Sequence, residues 1–134
     1  MSTSNKEIRK ALRTKLVSIP GIPDEDNQAW QNKVFEPTDG TPWIRETLLP
    51  SDERMTANNE KEAVGIYQID YFVPIGESVY DAEDLADAIK NAFKPTTVLS
   101  GFLRIERSRL LPGNTSGPWY KISVVIDYKC FSTN

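Results

Sequence analysis

Apolar and polar residues alternate most regularly near the end of the chain, over residues 119–131. Every second residue from Tyr120 to Tyr128 is apolar. The other face carries Lys121, Ser123, Asp127 and Lys129, together with Val125. Because successive side chains of a strand point to opposite faces, this pattern predicts a strand with one face on the core. Residues 63–73 alternate in the same way and predict a second strand.

Two further segments are predicted to be strands with less regular alternation, at residues 43–49 and 97–110. Neither face of segment 43–49 is fully apolar. A strand of this kind can place one face on the core and the other on a partner. A turn cluster rich in proline, glycine and asparagine at residues 112–118 separates the last two strands.

Helical periodicity appears twice. In residues 4–18 the apolar side chains of Ile8, Leu12 and Leu16 recur four residues apart and form one stripe. Residues 79–93 repeat the pattern with small apolar residues between the larger ones. Both segments end shortly before a proline, which cannot continue a helix.

The order of these segments predicts one α+β domain over residues 1–134. We expect a mostly antiparallel four-stranded sheet, made of two hairpins, with two helices packed on one face. Residues 24–40 are irregular and are compatible with either a short helical turn or a short strand.

A polar stretch at residues 50–62 separates the first two predicted strands. It is nearly free of large apolar side chains, so it buries too little surface to offset the entropy lost on ordering. The composition therefore predicts a long mobile loop, and loops of this length in compact domains are usually functional or disordered.

The overall composition argues against several classes of protein. Hydrophobic residues make up 39% of the chain and charged residues 26%, which is ordinary for a globular domain. The net charge of -3 argues against a protein that acts by neutralising phosphates. No apolar run is long enough to span a membrane, and the polar N-terminus lacks the apolar region of a secretory signal.

The sequence lacks the usual parts of a catalytic centre. There is no histidine, and the single cysteine, Cys130, is expected to be a small buried residue. The acidic cluster at residues 24–26 lacks the ligand spacing and the glycine of a calcium loop, and the cluster at residues 81–87 is better explained as negative charge at a helix N-terminus. Residues 113–117 lack the lysine of a phosphate-binding loop. We therefore expect no catalytic residue, no metal site and no cofactor.

Three arginines in the predicted strand 97–110 have two interpretations. If the strand is regular, Arg107 and Arg109 point to one face and Arg104 to the other. The arginines are either a solvated edge or a charged interface, for which the planar guanidinium is well suited. Trp43 and Trp119, each directly after a proline, are either packing residues or interface anchors.

Two motifs carry a family resemblance: GTPWIRETLLP at residues 40–50 and GIYQIDYFVP at residues 65–74. With the charged stretch between them, the alanine-rich helix that follows and the closing strand from Trp119, the chain resembles the phage tail terminator-like family over about residues 5–130. It is similar in size and segment order to the terminators of lambda-like long-tailed phages.

The resemblance implies a structural assembly protein rather than an enzyme. Such a protein would form a ring, expected to be a homohexamer, that caps the tail tube and stops its polymerisation. It would form the tail side of the head–tail junction in the virion after synthesis in the host cytoplasm. The implied partners are further copies of the chain, the tail tube protein and a head-completion protein, with DNA passing through the ring but no sequence-specific nucleic-acid binding and no membrane.

The resemblance leads to two hypotheses about sites. A closed ring needs two different complementary patches on each subunit, and the charged candidates for this subunit interface are Asp81, Asp84, Asp87, Arg104, Arg107 and Arg109. The candidates for a tube-docking loop are Asp52, Glu53, Arg54, Met55, Asn58 and Asn59. Two alternatives remain open: another head–tail connector or completion protein, and a peptide- or small-ligand-binding module with a pocket lined by Trp43 and Trp119.

Overall fold

The fold is known from a computed structural model that describes residues 5–31, 34–55, 60–76 and 79–133. It has two helices and six strands, with one 3₁₀ turn at Glu25–Asn27. In chain order the elements are α1 Asn5–Val17, β1 Gln28–Ala29, β2 Trp43–Met55, β3 Glu60–Pro74, α2 Val79–Ala92, β4 Val98–Leu99, β5 Leu103–Ser116 and β6 Trp119–Thr133.

The strands form one mixed sheet in the order β1-β2-β3-β6-β5-β4. β1 is parallel to β2, and every other pairing is antiparallel. The α+β class agrees with the sequence analysis, but the predicted four-stranded antiparallel sheet was wrong. The two predicted hairpins form the centre of the sheet, and β1 and β4 extend it at its edges. Strands of two residues are too short to show a periodicity, so the sequence pattern could not reveal them.

Both helices pack on the same side of the sheet, which we call the helix face. The apolar stripe of α1, with Leu12 and Leu16 fully buried, shares one core with Ala86 and Ile89 of α2. The sheet contributes the alternate apolar residues of β6 that the sequence pattern predicted, with Ile126 fully buried. Burial of one such large aliphatic side chain stabilises the fold by roughly 1.5–3 kcal/mol.

The opposite side of the sheet, which we call the outer face, carries an aromatic cluster at one end. There the ring of Trp43 stacks on Phe72 with centroids 3.9 Å apart, and Trp119 meets Trp43 edge-on at 5.9 Å. Phe35 and Ala29 complete this small cluster. The tryptophans are therefore packing residues, as one of the two interpretations held.

The predicted mobile loop at residues 50–62 was wrong for the part that the structure describes. Residues 50–55 belong to β2 and residues 60–62 to β3, so Asp52, Glu53, Arg54 and Met55 stand on a strand. Asn58 and Asn59 lie outside the described residues. Composition misled here because β3 is held between β2 and β6, and backbone pairing with a neighbouring strand needs no apolar side chain.

The predicted turn at residues 112–118 was also too long. β5 continues to Ser116, and only Gly117 and Pro118 form the turn. A register shift between Leu111 and Asn114 accommodates the proline and glycine of this stretch within an edge strand, where a missing N–H is tolerated.

Two tyrosines of β6 lie across glycines of the neighbouring strands. A Cβ added at Gly65 would stand 2.4 Å from the hydroxyl oxygen of Tyr128 and 2.9 Å from the carbonyl oxygen of Leu49. A Cβ at Gly113 would stand 1.8 Å from the hydroxyl oxygen of Tyr120. Each glycine thus leaves room for an aromatic ring that packs over the adjacent strand.

Candidate functional site

The outer face carries a row of three arginines from β5: Arg104, Arg107 and Arg109. Their partners on β6 are Lys129, Asp127 and Val125, which alternate along that strand and therefore share one face. The prediction that Arg104 points away from the other two was wrong. A bulge between Ile105 and Arg107 inserts Glu106 into the ladder and restores Arg104 to the same face.

Ion pairs connect part of this arginine row to its neighbours. Arg104 meets the Glu106 carboxylate at 2.9 Å, and Lys129 approaches the same carboxylate at 3.5 Å. The hydrogen bond from Arg104 lowers the pKa of Glu106, with burial opposing it weakly. Arg107 lies 3.5 Å from Asp127. These groups are exposed, so each pair contributes only about 0–1 kcal/mol to stability.

Arg109 differs from the other two arginines. It is partly buried beside Val125, and the part of the chain that the structure describes offers it no salt bridge. Leu111, two residues further on the same strand, is an exposed large aliphatic side chain. A cation without a counter-ion next to exposed apolar surface is typical of a surface that meets a partner.

The predicted acidic counterpart lies elsewhere. Asp81, Asp84 and Asp87 are exposed on α2, and α2 packs on the helix face, whereas the arginines occupy the outer face. The structure therefore brings the three arginines together and separates them from the aspartates by the thickness of the sheet. Within one copy the two patches do not meet; any pairing between them joins two copies.

The family-like motifs have structural roles that the sequence analysis did not identify. Arg45 and Asp70 stand directly opposite each other on β2 and β3, and the Arg45 guanidinium donates to the buried Asp70 carboxylate at 2.8 and 3.1 Å. Gln68 and Ser123 donate to its other oxygen. Burial raises the pKa of Asp70, but these hydrogen bonds outweigh it and leave the pKa lowered.

A second buried carboxylate joins α1 to the sheet. Glu46 of β2 is 1% exposed and accepts hydrogen bonds from Arg9, Arg13 and the hydroxyl of Tyr67, the last at 2.6 Å. Burial alone raises the pKa of Glu46, yet the bonds from Arg13, Tyr67 and Arg9 together lower it. Burial, reinforced by the Glu46 charge, raises the pKa of Tyr67 well above its usual value. The network fixes the helix on the sheet.

The sequence contained a signal for both networks. Glu46 lies between the core residues Ile44 and Leu48 at the same spacing, and Asp70 sits inside the strongest apolar segment. A charged residue at a position that the pattern assigns to a buried strand needs a paired partner. The partners of Glu46 could not be identified from the sequence, because Arg9 and Arg13 belong to a helix that is distant in the chain and meets Glu46 only in the folded structure.

A cleft of about 350 Å³ opens beside β2. Its lining includes Trp30, Phe35, Pro37 and Trp43, but not Trp119. A ligand-binding module was expected to have a pocket lined by both Trp43 and Trp119, and this cleft contains only the first of them. Within the described residues no group of three or more histidine, cysteine or acidic side chains is placed to hold a metal ion. No described helix is long and apolar enough to cross a membrane.

Comparison with known proteins identifies the family. A sequence-family model described as phage tail terminator protein matches residues 7–128. The chain belongs to this family. The tail terminator assignment confirms the resemblance found in the sequence and makes the chain a phage structural protein of the virion tail.

Solved structures show the same fold as this tail terminator protein. One of them has a TM-score of 0.72 at 22% identity, with 96% of both chains covered. Another, a chain from the virion of a native gene transfer agent particle, has a TM-score of 0.61 at 14% identity, covering 93% of this chain and 95% of that one. No curated protein matches the sequence.

Proposed function

We propose that this tail terminator protein assembles as a closed ring, a homohexamer, on the end of the tail tube, where it stops tube polymerisation and forms the tail side of the head–tail junction. The family match over residues 7–128 carries this proposal. Arg109 has no salt bridge to any residue that the structure describes, and the aspartates of α2 are exposed. Both observations support a contact between copies, because a heterologous interface joins two different patches. In this role the chain contributes binding surfaces and no catalytic group, cofactor or metal.

The partners follow from the position of the ring. One side meets the tube protein and the other a head-completion protein, and DNA passes through without sequence-specific contacts. We propose that the end of the β2–β3 hairpin, which includes Asn58 and Asn59, contacts the tube. Normal tails from a phage whose terminator lacks residues 56–60 would exclude this contact.

The test of the proposed function is a phage that carries a stop codon in this gene, complemented by the wild-type chain from a plasmid. Without the protein we expect tubes of uncontrolled length and no tailed particles by electron microscopy, because nothing ends the polymerisation. Tails of normal length that remain unattached to heads would instead indicate a connector or completion protein. Light scattering of the purified chain, alone and bound to isolated tubes, measures the number of copies.

A further inference from the structure

The two faces of the sheet are covered to different extents. Both helices of the chain pack on the helix face. Away from the aromatic cluster, the outer face has Leu49 and Leu111 exposed towards its two edges and Val64 and Ile66 partly exposed between them. A sheet with apolar side chains on both faces buries them by packing a layer on each side. The outer face therefore offers a surface for a layer from another molecule.

The β5 part of the outer face combines positive charge with an apolar side chain. Arg107, Arg109 and Leu111 occupy every second position of a stretch that pairs regularly with β6, so their side chains share the outer face. We call these three residues the β5 row. Arg107 lies 3.5 Å from Asp127, and Arg109 has no salt bridge to any described residue. A partner that fits this row supplies carboxylates beside an apolar group.

Helix α2 presents such groups on the side that faces away from its own sheet. Its buried side chains, centred on Ile89, mark the side that packs on the core. Because an α-helix has about 3.6 residues per turn, the opposite side carries four residues that we call the α2 ridge: Tyr80, Asp84, Asp87 and Asn91. All four are exposed, Tyr80 by 80%. In the described part of the chain, neither aspartate of the ridge forms a salt bridge.

We propose that, in the ring of the proposed function on which this inference rests, the α2 ridge of each copy packs on the β5 row of the next copy. Carboxylates without an ionic partner then meet guanidinium groups, one of which also lacks an ionic partner within the described chain. The contact joins two different patches, so it is heterologous and repeats around a closed ring. Each copy covers the outer face of its neighbour with a helix, so that every sheet is packed on both sides.

The spacing of residues along the ridge matches the spacing along the row. Tyr80 and Asp84 are separated by about 6 Å along the helix axis, and Leu111 and Arg109 are separated by about 7 Å along the strand. Packing the ring of Tyr80 on Leu111 therefore places Asp84 opposite Arg109. The aromatic ring buries apolar surface on both sides of the contact, and the ion pair forms beside it.

The second aspartate continues the same register. Asp87 lies about 4.5 Å further along the helix, and Arg107 lies about 7 Å further along the strand. The long arginine side chain spans this difference. Its guanidinium has several N–H donors, so Arg107 contacts Asp87 of the neighbouring copy without losing Asp127. The last residue of the ridge is the neutral Asn91, so no like charges of the ridge and the row face each other.

The directions of α2 and β5 agree with this register. α2 follows Pro74, at the end of the sheet where β6 begins with Trp119 and β5 ends with Ser116. Near the other end of α2, the Lys90 carbonyl accepts a hydrogen bond of 3.3 Å from the Ser108 hydroxyl. α2 and β5 thus run in opposite directions within one copy, and a rotation about an axis along the strands preserves these directions. The register requires the same opposite directions between copies.

Reversing the helix on the row would give a poorer contact. It would place Asp87 on Leu111 and Tyr80 on Arg107, so that a carboxylate is buried against an apolar side chain. A buried carboxylate without a paired cation is costly. Charge and direction therefore select the same arrangement.

Paired cysteines test the contact. Tyr80→Cys/Leu111→Cys places one thiol on the ridge and one on the row, which lie on opposite sides of the sheet within a copy. A short bismaleimide is therefore expected to link different copies into a ladder on a denaturing gel. The matched control is Tyr80→Cys/Leu49→Cys, because Leu49 is exposed on the same face but lies three strand spacings, about 14 Å, from β5. Cys130, which is 1% exposed, is common to both variants.

Charge exchange provides an independent measurement. Arg109→Asp sets carboxylates against each other, so light scattering is expected to show loss of the ring mass. Asp84→Arg in the same chain restores opposite charges and should restore the ring. Asp39→Arg is the matched control, because Asp39 is exposed in a turn outside the ridge and the row and the change in net charge is the same. Both sets of variants are measured alone and on isolated tubes.

A tube protein packed on the outer face would give a different result. Labelling of Leu111→Cys with a maleimide would then slow on isolated tubes, while Tyr80→Cys/Leu111→Cys would give no ladder there. This combination would overturn the contact between copies.

The outcomes separate this contact from the proposed function. A ring in which the two cysteine pairs link equally, or in which neither pair links, keeps the proposed function and refutes the contact. Rescue of Arg109→Asp by Asp39→Arg that is as complete as rescue by Asp84→Arg refutes the contact as well. A chain that reaches no higher mass alone or on tubes refutes the ring and the contact together. A ladder that is specific to positions 80 and 111 and ends at a fixed number of copies supports both.

Discussion

Replacement of Glu46 by glutamine tests whether the buried network holds α1 on the sheet. The change keeps the shape of the side chain and removes its charge, so Arg9 and Arg13 lose their ionic partner. Breaking a buried ion pair from one side costs about 3–5 kcal/mol. The two arginine side chains are 29% and 32% exposed, so rehydration offsets part of the loss. We therefore expect the free energy of unfolding to fall by about 2–3 kcal/mol.

The matched control is Glu106→Gln. Glu106 also contacts two cations, Arg104 and Lys129, but on the exposed outer face. An exposed pair of this kind contributes about 0–1 kcal/mol. The assay is urea unfolding followed by circular dichroism at pH 7, supported by thermal melts, in which Glu46→Gln should lower the midpoint by about 10 °C for a domain of this size.

The pH dependence identifies the charge as the cause. Because the pKa of Glu46 is lowered in the folded state, its stabilisation is present above the unfolded pKa near 4.5 and is lost as pH falls through the folded pKa. The difference in stability between wild type and Glu46→Gln should therefore shrink below pH 4.5. Equal costs for the two glutamine variants at pH 7, or a difference that persists unchanged at low pH, would refute the reasoning.

Two further predictions concern β6 and its neighbours. Gly65→Ala should destabilise the fold by about 1–3 kcal/mol, because the new methyl group meets the buried Tyr128 and a backbone carbonyl. Gly113→Ala should destabilise the fold clearly less, because its methyl group meets the outer end of the partly exposed Tyr120. Equal urea midpoints for the two variants would contradict this difference. The Cys130 thiol, whose pKa burial raises to about 12, should react with a thiol reagent at pH 8 far more slowly in the native chain than in urea, and similar rates in both would exclude the buried placement.

The sequence predicted the helices and strands that have one face in the core, because burial gives them a regular apolar pattern. It missed the strand segments that are ordered mainly by backbone pairing with a neighbouring strand. The stripe of α1 and the alternation of β6 were correct, because one face of each lies in the core. Residues 50–55 and 112–116 were assigned to a loop and a turn from their proline, glycine and charge content. That content reflects the position of these residues at the edges of the sheet, whereas the backbone there is ordered by the strand beside it.

The interface candidates show the same limit. A strict period of two assigned Arg104 to the wrong face because an inserted residue leaves no mark in composition. The acidic residues of α2 were interface candidates, but only the topology shows that the sheet lies between them and the arginines. The sequence indicated which charged side chains are candidates for an interface. Their placement on one face of the molecule or the other required the strand order.

The charge pattern of the outer face depends on chain length in the regular part of β5 but not at the Glu106 bulge. Ile105 pairs with Tyr128 and Arg107 with the adjacent Asp127, so deletion of Glu106 removes the bulge and keeps Leu103 and Ile105 on the helix face. Insertion of one residue into the regular part of the strand between Arg107 and Leu110 would instead exchange the sides of the residues upstream, sending Ile105 outward and Arg104 into the apolar core. An inserted codon there is therefore expected to do more damage than loss of the Glu106 codon.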